Sequence, residues 1–247
     1  MFGLPGAPER ELMRGTDLSA VQGDVSDDDW RKLAELDVRF AFLRLVVGNE
    51  PWTDVGVAKR NAERARAHGI LVAPYLFAYP LPHLLPDAQV EHLFALVEQL
   101  GELGMPPALD LEWPPRETRR KDQTLEDTWK KWGCSPVQLR EWGLRALERG
   151  VELTGSPWFV YSFRYWLQCI EAAKSPELGD YPLWLADYSF KGRWPERPEI
   201  ERLTVPAPWQ QITIVQHDGD GGLKLPSARD ADFSVGLIDP ADLLQRG

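Results

Sequence analysis

Two carboxylates one residue apart, Asp110 and Glu112, end the apolar run of PPALDLEWPP (106–115), and prolines bracket them on both sides. In a strand, residues i and i+2 point to the same face with Cα atoms about 6–7 Å apart. A pair placed in this way has the reach for glycoside cleavage. One carboxyl protonates the leaving oxygen, and the second stabilises or attacks the developing positive centre. Mutual repulsion raises one pKa, so that one carboxyl keeps its proton near neutral pH while its neighbour stays ionised. A strand that merely ends in a polar loop has the same local pattern, and D-x-E after an apolar run is common. Two further acids shift the balance. Asp17 sits in GTDLSAVQGD (15–24), a strand-like end followed by Gln22 and Gly23, and Asp232 sits in DADFSVG (230–236). In a closed barrel the last strand lies beside the first, so four acids at strand ends would converge in one cup.

The elements that must hold these acids read as alternating strands and helices. VRFAFLRLVV (38–47), ILVAPYLFAY (70–79) and PPALDLEW (106–113) have the near-continuous apolar character of buried parallel strands. Between them VGVAKRNAERARAHG (55–69) reads as a helix ending at Gly69, and DAQVEHLFALVEQLGELG (87–104) as a helix with Asp87 as N-cap candidate. After Trp113 the polar, mixed-charge stretch 114–134 breaks the pattern and reads as an insertion over the barrel rim. The alternation resumes with a helix near 136–150, a strand at 157–162, a short helix around 165–173, and strands at 181–188 and 212–217. This is the pattern of βαβ units, and their number predicts an α/β fold: an irregular (β/α) TIM-like barrel forming a single domain over 15–247, after an N-terminal extension of 1–14. Reactive residues in such barrels project from the C-terminal ends of the strands.

At 247 residues the chain suits one barrel, and 43% hydrophobic with 27% charged residues is an ordinary globular composition. A net charge of -10 gives no electrostatic footprint for nucleic acid or an anionic membrane. No run approaches the roughly 18 apolar residues of a membrane span. Prolines and charges interrupt MFGLPGAPERELMRG before any signal-peptide core forms, so synthesis in a cytoplasm without a signal peptide is expected. Cys134 and Cys169 lack metal-ligand spacing and read as two free thiols, with a bridge as the alternative. DGDGG (218–222) reads as a turn, because an EF-hand needs a carboxylate where Arg229 stands. The four histidines fall in no metal or triad constellation, and no phosphate-binding or dinucleotide motif is present, so no metal or cofactor is expected.

DLSAVQGD, FAFLRLVVG, GILVAPYLFAYP, PPALDLEW, FVYS, YPLWLADYS, IVQH and DADFSVG occur in the order seen in glycoside hydrolase family 25, the lysozyme-like muramidases. The resemblance covers roughly 14–238. It implies an irregular (β/α) barrel, and hydrolysis of the β-1,4 bond between N-acetylmuramic acid and N-acetylglucosamine in peptidoglycan. It also implies that Glu112 is the catalytic acid/base and Asp110 its partner, with Asp17 and Asp232 as flanking acids. Asp110 could attack the sugar or could orient the substrate's own N-acetyl group; the residues leave both open. The expected partner is a glycan strand met by a monomer, in a phage lysis or virion-associated setting reached after release or delivery, with a bacterial effector as the alternative.

Three positions depart from the family pattern. Val46-Val47-Gly48 stands for Thr-Glu-Gly, Tyr75-Leu76-Phe77 for Tyr-His-Phe, and Val215 precedes Gln216 in place of an aromatic. Two polar cup-lining groups are thus missing, at Val47 and Leu76, which keeps open a glycan-binding protein on a degenerate scaffold. A chitinase-like enzyme is the other alternative, although Ala108 breaks its D-x-D-x-E chain. Aromatic residues at strand ends could stack on sugar rings, with Tyr75, Trp113, Tyr161 and Trp184, together with Gln216, expected to bind substrate. Tyr79 and Tyr188 fall in similar places, and Trp129 and Trp132 lie in the insertion.

Overall fold

The computed structural model describes residues 12–48, 55–112, 130, 133–219 and 231–237, and the backbone of 220–223. Eight strands close into one barrel in chain order: β1 (Met13–Leu18), β2 (Val38–Val47), β3 (Leu71–Phe77), β4 (Ala108–Asp110), β5 (Phe159–Phe163), β6 (Leu183–Ala186), β7 (Ile214–Leu223) and β8 (Ala231–Gly236). Neighbours from β1 to β7 pair in parallel, as βαβ connections require. Strand β8 is antiparallel to both β7 and β1, which makes the barrel irregular. Around it lie helices α1 (Asp27–Glu35), α2 (Val55–Ala67), α3 (Pro86–Val97), α4 (Pro136–Thr154), α5 (Arg164–Cys169) and α6 (Arg197–Glu201). No helix among the described residues is long and apolar enough to cross a membrane.

Local chemistry explains where these elements start and stop. Helix α4 opens with a reciprocal capping box between Ser135 and Gln138, carries Pro136 in its first turn, and ends at Gly155, whose φ of 72° an L side chain rarely adopts. Helix α1, which the sequence reading passes over, has Ser26 accepting from the amide of Asp29, with Asp27, Asp28 and Asp29 in the first turn. Helix α3 corrects the proposed cap. Pro86 occupies the first turn behind Leu85, and Asp87, one place further in, accepts from Nε of Arg145 on α4 at 2.7 Å.

Strand alternation divides the apolar residues into two layers. Phe40, Phe42, Ala73, Ala108, Phe159, Trp184 and Ile214 fill the barrel, while Val72, Leu109, Val160 and Leu185 face the helices. Gly15 on β1 lets the inner layer close, since a Cβ there would lie 2.1 Å from the ring of the fully buried Phe40. Phe40 has little room to yield, with its ring edge-on to Phe42 at 6.1 Å. Gly15→Ala should therefore destabilise the fold by about 1–3 kcal/mol through overpacking. The check is a lower urea midpoint at unchanged slope.

The segment DGDGG is not a turn: β7 continues through it to Leu223. Its antiparallel neighbour β8 supplies the ladder, with register shifts on both sides of Asp218. Cys134 and Cys169 are free thiols. Trp113, Trp129 and Trp132 lie outside the described residues, as does the rim insertion expected over 114–134, apart from 130, 133 and 134.

Candidate active site

The inward-facing positions change character at the C-terminal ends of the strands. Above Phe42 on β2 comes Arg44, beyond Ala108 on β4 comes Asp110, and beyond Ile214 on β7 comes Gln216. Asp17 lies near the end of β1, and its Cα partner across the antiparallel β1/β8 pair is Asp232. Because β8 runs backwards, a residue near its start reaches the same end of the barrel as the ends of the parallel strands. The hydroxyl of Thr16 donates to the backbone oxygen of Asp232 at 2.7 Å, fastening the two strands beside the acids. Glu112 lies two residues past Asp110, beyond the end of β4, and is half-buried.

Electrostatics place the four acids in one cluster. Burial pushes Asp17 well above the usual carboxylate range; Asp232 and Glu112 push the same way, while a hydrogen bond from Gln216 and the charge of Arg44 oppose them. Burial likewise raises Asp110, followed by the charge of Glu112, with Arg44 opposing and Asp17 adding to the rise. Asp17 and Asp110 are 6% and 4% exposed, so their ionised forms are poorly solvated. Oδ1 of Asp110 has no hydrogen-bond partner among the described residues. Arg44 is the functional group that the sequence reading missed. Its signal was a lone cation inside the buried strand FAFLRLVV, which needs a carboxylate nearby to be tolerated.

The aromatic residues are placed differently from expectation. Trp184 is 2% exposed, stacks on Phe42 at 4.3 Å between centroids, and donates from Nε1 to Ser234. It is part of the packed interior and offers no open face to a sugar, which corrects its assignment to substrate binding. Tyr75 and Tyr161 meet Trp184 edge-on from above and are themselves buried. Gln216 is buried too, with Nε2 donating to Oδ2 of Asp17 at 2.9 Å and Oε1 accepting from the Tyr161 hydroxyl at 2.8 Å. Tyr75, Tyr161 and Gln216 thus form a layer supporting the acids rather than an exposed sugar platform.

The departures at 46, 76 and 215 are also relocated. Val46, Leu76 and Val215 all pack in the layer between strands and helices. Strand β3 alternates Tyr75 inward and Leu76 outward, and a register shift between Arg44 and Val46 turns β2 in the same sense. The polar group lost at Leu76 therefore belongs to the outer packing and not to the cup, as do Val46 and the aromatic position at 215, whereas Val47, which stands for the glutamate, is buried but is not part of that layer.

A family model described as glycosyl hydrolases family 25 matches residues 16–224. Among solved structures, the chain is similar to the bacterial lysozyme from Streptomyces coelicolor, with 21% identity over 94% of this chain and 95% of that one, and a TM-score of 0.68. A family 25 lysozyme from Aspergillus fumigatus has 20% identity over 95% and 98% of the two chains, with a TM-score of 0.69. A muramidase from Acremonium alcalophilum has 20% identity over 94% and 97%, with a TM-score of 0.68. A search of curated protein sequences finds no match.

Proposed function

The chain belongs to glycosyl hydrolase family 25, and from that premise we propose that it hydrolyses the β-1,4 bond between N-acetylmuramic acid and N-acetylglucosamine in peptidoglycan. The observation that carries this reading is the convergence of Asp17, Asp110, Glu112 and Asp232 at one end of the barrel, each acting on the charge of another.

The two central carboxyls divide the work by their exposure. Glu112, half-buried past the strand end, is the group a leaving oxygen can reach, and it delivers the proton. Asp110 lies deeper, with Oδ1 lacking a donor among the described residues. The N–H of the substrate's acetamido group is a donor of the right kind, and its arrival favours the ionised form of Asp110 that burial and Glu112 oppose in the free protein. The acetamido oxygen then attacks the anomeric carbon as the leaving group departs, and water opens the resulting ring. The negative charge that remains on the Asp17/Asp232 pair favours the positive character of the sugar during both steps.

Digestion of purified peptidoglycan tests the bond. After borohydride reduction, mass spectrometry of the products should show new reduced N-acetylmuramic ends. Products ending in N-acetylglucosamine, or binding without turnover at any pH, would overturn the assignment. Chitin oligomers assayed alongside should be cut far more slowly.

A further inference from the structure

Tyr188 stands at the mouth of the barrel just after β6, with half of its surface exposed, yet its hydroxyl points inward and donates to Oε1 of Gln216 at 2.8 Å. The hydroxyl of Tyr161, from β5, donates to the same oxygen, also at 2.8 Å. An amide oxygen has two lone pairs, and here two phenols from different elements engage them. Nε2 at the other end of the amide donates to Oδ2 of Asp17 at 2.9 Å. The backbone of β7 supports the outer tyrosine, since a Cβ on Gly219 would lie 3.1 Å from the Tyr188 hydroxyl.

This chain of contacts has a consequence for protons. Turning the Gln216 amide over would set its NH2 group against both phenol oxygens, and its oxygen against Asp17. The two phenols also lie within hydrogen-bond reach of each other, and while at least one of them donates to Oε1 the amide stays as observed and Oδ2 of Asp17 meets an N–H. An oxygen that accepts there does not also carry a proton toward the same donor. Across the barrel seam stands Asp232, and two like charges directly opposite on antiparallel strands repel. A proton that relieves the repulsion therefore points away from the Gln216 amide, whether it is carried by Asp17 or by Asp232.

We propose that Tyr188 and Tyr161 are positioning residues that clamp Gln216, hold Asp17 in one orientation, and confine the proton of the Asp17/Asp232 pair to the side away from Gln216. The assignment of a role in turnover rests on the glycosidase reading of the site. Around Asp17 stand Asp232 on β8, Asp110 and Glu112 from β4 and its exit, Arg44 on β2, and Tyr75, Tyr161 and Tyr188. Among the influences on Asp17, the Gln216 hydrogen bond and Arg44 favour the ionised form.

Tyr188→Phe keeps the ring and removes one of the two donors. In the full chain it should lower kcat on peptidoglycan about tenfold, the effect of weakening one hydrogen bond to a charged group, with KM within about twofold. The acid limb of the pH–rate profile should move to higher pH, and Tyr188→Phe combined with Tyr161→Phe should move it further. Carboxyl-carbon NMR supplies a readout that needs no turnover. The Asp17 resonance, identified by its absence in Asp17→Asn, should titrate at higher pH in Tyr188→Phe than in the wild type. Unchanged kcat, pH profile and Asp17 titration would overturn the clamp. A wild-type protein without turnover would sink the glycosidase reading alone, and the Asp17 titration would then decide the clamp by itself.

Discussion

Replacing Glu112 with glutamine should slow peptidoglycan hydrolysis by about three orders of magnitude and leave the thermal midpoint within about 2 °C. The amide has nearly the size of the carboxyl, so packing at this half-buried position survives. It has no proton to deliver to a poor leaving oxygen, and general acid catalysis contributes about 10²–10⁴ in such reactions. The same reasoning predicts where the defect shrinks. An aryl glycoside whose leaving group needs no proton should show a much smaller loss, about tenfold. Equal losses on both substrates would point to a binding or folding defect. Wild-type turnover by Glu112→Gln would remove Glu112 from the role of acid.

Asp110→Asn should have two effects of opposite sign. Activity falls by about 10²–10³, the cost of deleting one charged group aimed at the reacting centre. Stability at neutral pH rises, because the wild-type fold must bury a carboxyl that its surroundings keep toward the neutral form. The sign follows from linkage. The pKa of Asp110 is higher in the folded than in the unfolded chain, so its contribution to stability is fully present below the unfolded value of about 4 and is lost as pH rises through the folded value. Asparagine abolishes that loss. The variant should melt about 2–6 °C above the wild type at pH 7, and the gap should close toward pH 4. A calorimetric scan at both pH values checks it; a lower melting point at pH 7 would contradict the reading of Asp110 as a costly buried acid. Azide separates the two roles for this residue. If Asp110 orients the acetamido group, azide leaves Asp110→Ala inactive, whereas an attacking carboxylate would be replaced by azide with formation of a glycosyl azide.

Much of this architecture can be read before any coordinates are known, and the failures have physical reasons. Strand β2 coincides with VRFAFLRLVV because a parallel strand buried on both faces is apolar along its whole length. Asp110 and Glu112 are legible because acids at the end of such a run contrast with what precedes them. The place of Trp184 is not legible in the same way. Both ends of an inward-facing row look alike in sequence, and the stagger of the strands decides which ring is covered and which faces the mouth. Arg44 was hidden because a single cation in an apolar run breaks no periodicity. The Gly-rich end of β7 reads as a turn because its partner β8 begins beyond the next seven residues, and a local scan cannot see the ladder between them. Gln216 was found, but with the wrong partner: spacing shows that an amide is present, whereas its direction toward Asp17 needs the closed barrel.

The antiparallel seam between β1 and β8 also sets when the enzyme comes into being. Thr16 and the Asp232 oxygen it holds are 216 residues apart, and Asp17 gains its carboxylate neighbour only when β8 docks. During synthesis, a chain grown only as far as β7 already contains Asp17, Asp110 and Glu112 but has an open edge where the fourth acid belongs. Domains tend to fold as units, and this one cannot close around its acids from its N-terminal part alone. The cup of four acids is therefore incomplete until the last strand has left the ribosome, and a cut that frees β8 should open it without touching Glu112.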